Sequence, residues 1–98
     1  MSYSVTAQAP AEYQVVDGKV TAAGGDDSPK FTLQPLDFYA MQEVLGIEDA
    51  STRFKTVLKY GVLAIDGDKA KAAAFVEKPS NRYGVKVFDW LYAETLGN

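Results

Sequence analysis

The sequence contains no cysteine and no histidine. Without cysteine there is no disulfide, no thiolate nucleophile and no sulfur-ligated metal. Without histidine, the usual general base near neutral pH and the commonest metal ligand are missing as well. Ser-His-Asp hydrolysis and zinc hydrolysis therefore lack their parts; carboxylate chemistry, a lysine of depressed pKa or hard-cation binding remain open. No apolar run approaches the roughly 20 residues that a membrane-spanning helix needs, so no membrane partner is expected. The opening stretch MSYSVTAQAPAEYQ has neither a basic n-region nor an apolar h-region, and no signal peptide is expected from it.

What is present fits one small folded domain. The 98 residues are 47% hydrophobic and 23% charged, a globular composition with a modest core and marginal stability. The net charge of −3 is unevenly spread. Residues 1–50 carry eight acids against Lys19 and Lys30, whereas residues 51–98 carry eight bases against five acids. Such a polar molecule can pair acidic face to basic face with a second copy or another partner, or simply present two solvated surfaces.

Residues 1–12 show no period and read as an extended N-terminal arm, with residues 13–98 forming the domain. In YQVVDGKVTA, Asp17-Gly18 between two β-branched runs is a two-residue hairpin signal. AGGDDSP is a loop by composition, and KFTLQPL is extended, with Phe31 and Leu33 on one side. Pro35 suits the first turn of a helix, with Asp37 facing its dipole; Leu36, Tyr39, Ala40 and Val44 form a stripe, with Met41 and Leu45 nearby, and Gly46 is a C-terminal stop. A second helix begins at Asp49 or Ser51, aligns Phe54, Val57 and Leu58, and stops at Gly61, so the two pack as an αα-hairpin. VLAI is a buried connector or a short strand. DKAKAAAFVEK predicts a short helix before Pro79. Ser80 or Asn81 caps a last helix, starting as late as Val85, with Val87, Phe88, Leu91, Tyr92 and Leu96 on one face. The fold class expected is α+β and mostly α: a small N-terminal β-hairpin or arm followed by three to four short helices. Its core draws on Phe31, Leu33, Leu36, Val44, Phe54, Leu58, Val62, Ile65, Phe75, Phe88 and Leu91.

No catalytic, cofactor-binding or metal-binding residue is expected. Read as a calcium loop from Asp66, the chain puts Asp68 third and Glu77 twelfth, but alanines 70, 72 and 74 offer no side-chain oxygen, and Lys71 stands where the turn glycine belongs. Gly67 instead turns the chain and Asp68 caps the next helix. GGDD sets acids where a phosphate needs amide donors, and nothing near Asp26 and Asp27 raises a carboxyl pKa for catalysis. Lys69, Lys71, Lys78, Arg82 and Lys86, with Tyr83, form a basic set, but the chain is acidic overall and no nucleic-acid partner is expected. Tyr39, Tyr83, Trp90 and Tyr92 are the candidate partner-binding residues, because Tyr and Trp are frequent interface anchors; Trp90 is equally a core residue in so short a chain.

From Phe31 to Leu96, FTLQPL, two short helices, LKYGVLAIDG, a polar insert and the closing VFDWLYAETL resemble the phage tail assembly chaperones. In that family a helical repeat ending in a YG-V turn precedes a GG or DG connector; the matching residues are Leu58, Tyr60, Gly61, Val62 and Gly67. The likeness covers about two thirds of the chain, and residues 13–22 have no counterpart in it. It implies a non-enzymatic protein that transiently coats a tape-measure or tail-tube protein in the host cytoplasm, through apolar grooves and helix faces. The same features suit a minor structural component of the virion, such as a neck, tail or decoration subunit. The expected partners are other phage structural proteins and a second copy of the chain.

Overall fold

Strands β1 (Ala11–Val16) and β2 (Lys19–Ala22) form the expected hairpin. Asp17 and Gly18 have φ of 53° and 76°, the two left-handed residues a type I′ turn requires, and Val16 pairs with Lys19 across it. The structure is a computed structural model and describes residues 9–96. The expected N-terminal arm thus lies outside the described residues up to residue 8, and at its other end Ala11 and Glu12 are already in β1.

The hairpin does not stand alone. Strand β3 (Phe31–Leu33) pairs antiparallel with β1, and strand β4 (Val62–Ile65) pairs antiparallel with β3, giving a sheet of order β2-β1-β3-β4. A hairpin followed only by helices is therefore too simple, because β4 returns between the second and third helices. The physical reason is that a short hairpin is marginal until another strand or helix covers it. VLAI lacks polar alternation because Val62, Ala64 and Ile65 are all buried. The register shifts there: Thr32 faces Ala64 and Leu33 faces Val62, which leaves Leu63 as an extra residue in the manner of a β-bulge.

Helices α1 (Phe38–Leu45) and α2 (Ala50–Gly61) fill the connection from β3 to β4, and α3 (Lys69–Glu77) and α4 (Gly84–Leu96) follow the sheet. Three aspartates start three of them. The carboxylate of Asp37 accepts from Ala40 N–H, that of Asp49 from Thr52 N–H, and that of Asp68 from Ala70 and Lys71 N–H, the N-cap bond that satisfies orphan donors. Pro35 consequently lies two residues ahead of the α1 cap rather than in its first turn. For α4, Ser80 supplies both ties: its Oγ accepts from Tyr83 N–H at 3.1 Å and its carbonyl from Gly84 N–H at 2.7 Å.

The two stop glycines have other reasons than a left-handed C-terminus. Gly46 caps α1 with an ordinary right-handed φ of −83°. Gly61 is the last residue of α2 and is buried against α4.

The core lies between the sheet and the helices. Phe31, Leu33, Leu36, Val44, Leu58, Val62, Ile65 and Leu91 are buried as expected, joined by Val15, Met41, Val57, Ala72, Val76 and Val87. Phe54, Phe75 and Phe88 pack against this cluster but are only partly buried. Phe31 sits at the centre with the rings of Phe75 and Tyr83 edge-on at 5.3 and 5.7 Å. Among the α4 stripe, Leu96 departs from the others and stays 56% exposed, since the helix ends there.

On the opposite face of β1, between Tyr13 and Val15, Gln14 is the one buried polar side chain among the described residues. Its Nε2 donates to the carbonyls of Asp26 and Ser28, each at 2.8 Å, and its Oε1 accepts from Gly24 N–H at 2.8 Å. One side chain thus pins the whole AGGDDSP loop against the sheet.

Candidate protein-interaction face

Asp66-Gly67-Asp68 is settled by geometry. Asp66 and Gly67 have φ of 53° and 76°, the same pair of values as Asp17 and Gly18. Asp66 Oδ1 accepts from Lys30 N–H at 3.0 Å, and Asp66 N–H donates to the Lys30 carbonyl at 2.7 Å. The first carboxylate ties β4 back to β3, the second caps α3, and the glycine turns the chain. Among the described residues no group of three or more His, Cys, Asp or Glu is placed to hold a metal ion, and no helix is long and apolar enough to cross a membrane. Asp26 is engaged with Ser28, whose Oγ and N–H both donate to its carboxylate and hold its pKa below the usual value.

The four candidate partner residues fall in different surroundings. Trp90 tilts against Tyr13 with centroids 4.4 Å apart. Tyr92 stacks on Phe88 at 5.6 Å, and Phe88 on Phe54 at 4.5 Å, so this aromatic ladder joins α4 to α2. Tyr83 packs on Phe31 with the Arg82 guanidinium over its ring at 5.5 Å. Those three rings are half-buried against the core. Tyr39 alone among them is open, at 82% exposure.

Tyr39 belongs to a larger apolar surface. On α1, Met41 and Val44 turn inward, whereas Phe38 and Leu45 are more than half exposed. At about 100° per residue, Leu45, Phe38 and Tyr39 form one outward arc with Gln42 between them. Phe38 and Tyr39 touch edge to face at 5.5 Å. The end of α4 reaches the entrance of α1, where Leu36 N–H donates to Thr95 Oγ1 at 3.0 Å; exposed Leu96 is the next residue.

This surface is bordered by acids. Tyr60 Oη donates to Glu43 Oε1 at 2.8 Å. That bond, some desolvation and the negative charges of Glu43 and Asp37 raise the Tyr60 pKa. Both carboxylates therefore act at one shallow notch of ≈ 200 Å³ walled by Pro35, Leu36, Ala40 and Tyr60. Between Lys30 and Arg53 the sequence has no base at all. Arg53 itself turns back, donating to the carbonyls of Ile47 at 2.9 Å and Glu48 at 3.2 Å.

The basic set is dispersed by comparison. Lys69 and Lys71 open α3, Lys78 closes it, and Arg82 and Lys86 lie about the start of α4. Arg82 acts on Asp26 of the pinned loop, and the Lys86 side chain runs within 3.8 Å of where a Gly18 β-carbon would stand.

Phe38 and Glu43 were not singled out by the sequence, which placed Leu45 beside the α1 stripe and Tyr60 in the family motif but neither at a partner-binding surface. The available signal was that LDFYAMQEVL carries more large apolar residues than one stripe can absorb. Comparison with protein-family models, with curated proteins and with solved structures finds no match to the chain.

Proposed function

We propose that this chain is a non-enzymatic protein–protein interaction domain of phage morphogenesis. In this role it acts as a tail assembly chaperone that covers a tape-measure or tail-tube protein. The observation that carries the interaction reading is the outward face of α1. Met41 and Val44 turn one side of α1 to the core, whereas Phe38, Tyr39 and Leu45 leave a second apolar arc, interrupted by Gln42, that the chain itself does not cover. The morphogenesis reading is supported by the resemblance over Phe31–Leu96, whose matching residues are Leu58, Tyr60, Gly61, Val62 and Gly67.

A second reading, a minor structural component of a phage particle, draws on the four-stranded sheet. Its hairpin includes residues 13–22, which have no counterpart in the family pattern. Mass spectrometry separates the two. A chaperone is abundant in infected cells and missing from finished particles, whereas a subunit stays in purified virions at fixed stoichiometry. A gene remote from any phage or prophage cluster would remove both readings and leave the interaction domain alone.

A further inference from the structure

We infer that the outward face of α1 docks a basic amphipathic helix of a partner protein. The inference rests on the interaction-domain reading above and adds the surface and the chemistry of the partner. Phe38 and Leu45 lie two turns apart, about 10 Å along the axis, which is the spacing of the i and i+7 anchors on an amphipathic helix lying alongside. Tyr39 and Phe38 supply rigid aromatic area of the kind that dominates interface energetics.

Charge selects the occupant. Asp37 immediately precedes Phe38, and Glu43 lies next to Tyr39 around the helix, with its carboxylate held by Tyr60 Oη. The notch beside α1 suits a lysine or arginine of the partner: the aliphatic stem lies on Pro35, Ala40 and Tyr60, and the cation reaches Asp37 and Glu43. A second copy fits less well. A two-fold contact sets the same patch against itself, which would bring these acids face to face, and two chains of net charge −3 repel. A head-to-tail contact would need an apolar basic face, yet among the described residues of α3 and α4 only Val85 and Leu96 are large, apolar and exposed, and they stand at opposite ends of α4.

The test is an amide-shift titration of the isotope-labelled full chain with a synthetic leucine–lysine amphipathic helical peptide. The same peptide with glutamate in place of lysine is the control. Saturable shifts confined to residues 37–49 and Tyr60, weakened by added salt and absent with the glutamate peptide, are expected. Glu43→Lys should weaken binding about tenfold, the loss of one charge-assisted contact. The paired Phe38→Ser and Tyr39→Ser variant should abolish it while keeping a native amide spectrum, because both side chains are exposed. Equal binding of the acidic peptide, shifts centred on the hairpin or α3, or no saturable shift overturns the inference. So does a concentration-dependent dimer in sedimentation that the α1 variant dissolves, since the face would then belong to a second copy. In infected cells, an α1 variant that still associates with phage structural proteins sinks the docking surface and leaves the interaction role standing. If the unaltered chain associates with none, the morphogenesis reading fails instead.

Discussion

Gly61 and Leu91 occupy the same space: a β-carbon on Gly61 would stand 2.5 Å from Leu91 Cδ1 and 2.6 Å from Cδ2. Leu91 is fully buried, so its methyls have nowhere to go. Here α2 and α4 approach as closely as a missing side chain allows. Gly61→Ala should therefore destabilise the fold by about 1–3 kcal/mol through overpacking, against a helix-propensity gain of under about 1 kcal/mol. Urea unfolding measures it. Combining it with Leu91→Ala should cost less than the sum of the two, since the added methyl enters the cavity.

Gln14 predicts a second cost. Gln14→Leu keeps the volume but strands Gly24 N–H and the carbonyls of Asp26 and Ser28, a loss of about 1–3 kcal/mol for each group that water cannot reach. Hydrogen exchange at Gly24 should accelerate well before global unfolding. Unchanged exchange there would show that the loop holds without its pin.

Gly67 and Gly24 differ by backbone rather than by space. Gly67 has φ of 76° with nothing within 4 Å of a β-carbon, whereas Gly24 and Gly25 have the same open space and no positive φ. Gly67→Ala should cost about 1–2 kcal/mol from conformation alone, and Gly24→Ala within about 0.5 kcal/mol of nothing. Thermal melts of the two variants decide it.

Asp49 gives the pH dependence its sign. Hydrogen bonds from the Ser51 and Thr52 hydroxyls and from Thr52 N–H, with a smaller effect of the Arg53 charge, lower its pKa from 3.8 to about 2. A carboxyl depressed in the folded state contributes stability above its unfolded pKa, and that contribution is lost as pH falls toward about 2. Stability should decline across this acid window, and Asp49→Asn, which keeps a capping oxygen, should flatten the decline. A carboxyl titration by NMR with a midpoint near 3.8 would remove the basis for it.

Tyr60 behaves oppositely. Its raised pKa follows first from its bond to Glu43, so Glu43→Gln should let the phenol ionise at lower pH, read by ultraviolet absorbance. Stability contributed by this contact is present below the unfolded tyrosine pKa and lost as pH rises through the folded one. An unmoved titration would mean that Glu43 and Tyr60 do not meet in solution.

Local chemistry was legible in the sequence wherever neighbours within a few residues decide it. Asp17-Gly18 makes its turn because two adjacent residues can hold left-handed φ. Asp49 and Asp68 cap as expected because an aspartate lies two or three residues from the amides it serves; Asp37 does the same, although Pro35 had placed the helix start two residues too early. Gly67 turns the chain because it and its neighbour Asp66 can both hold left-handed φ. The tertiary structure decided what depends on distant partners. Phe31–Leu33 reads as an extended segment with two residues on one side, but it becomes a central strand only because β1 and β4 pair on its two sides. Gly61 reads as a helix stop until Leu91, 30 residues on, arrives against it. Gln14 looks like a solvated strand residue until the loop ten residues later folds over it. The α1 face follows the same rule. The sequence shows more large apolar residues along α1 than one stripe can hold, but which side the core takes, and hence which is left for a partner, is fixed by how α1 packs on the rest of the chain.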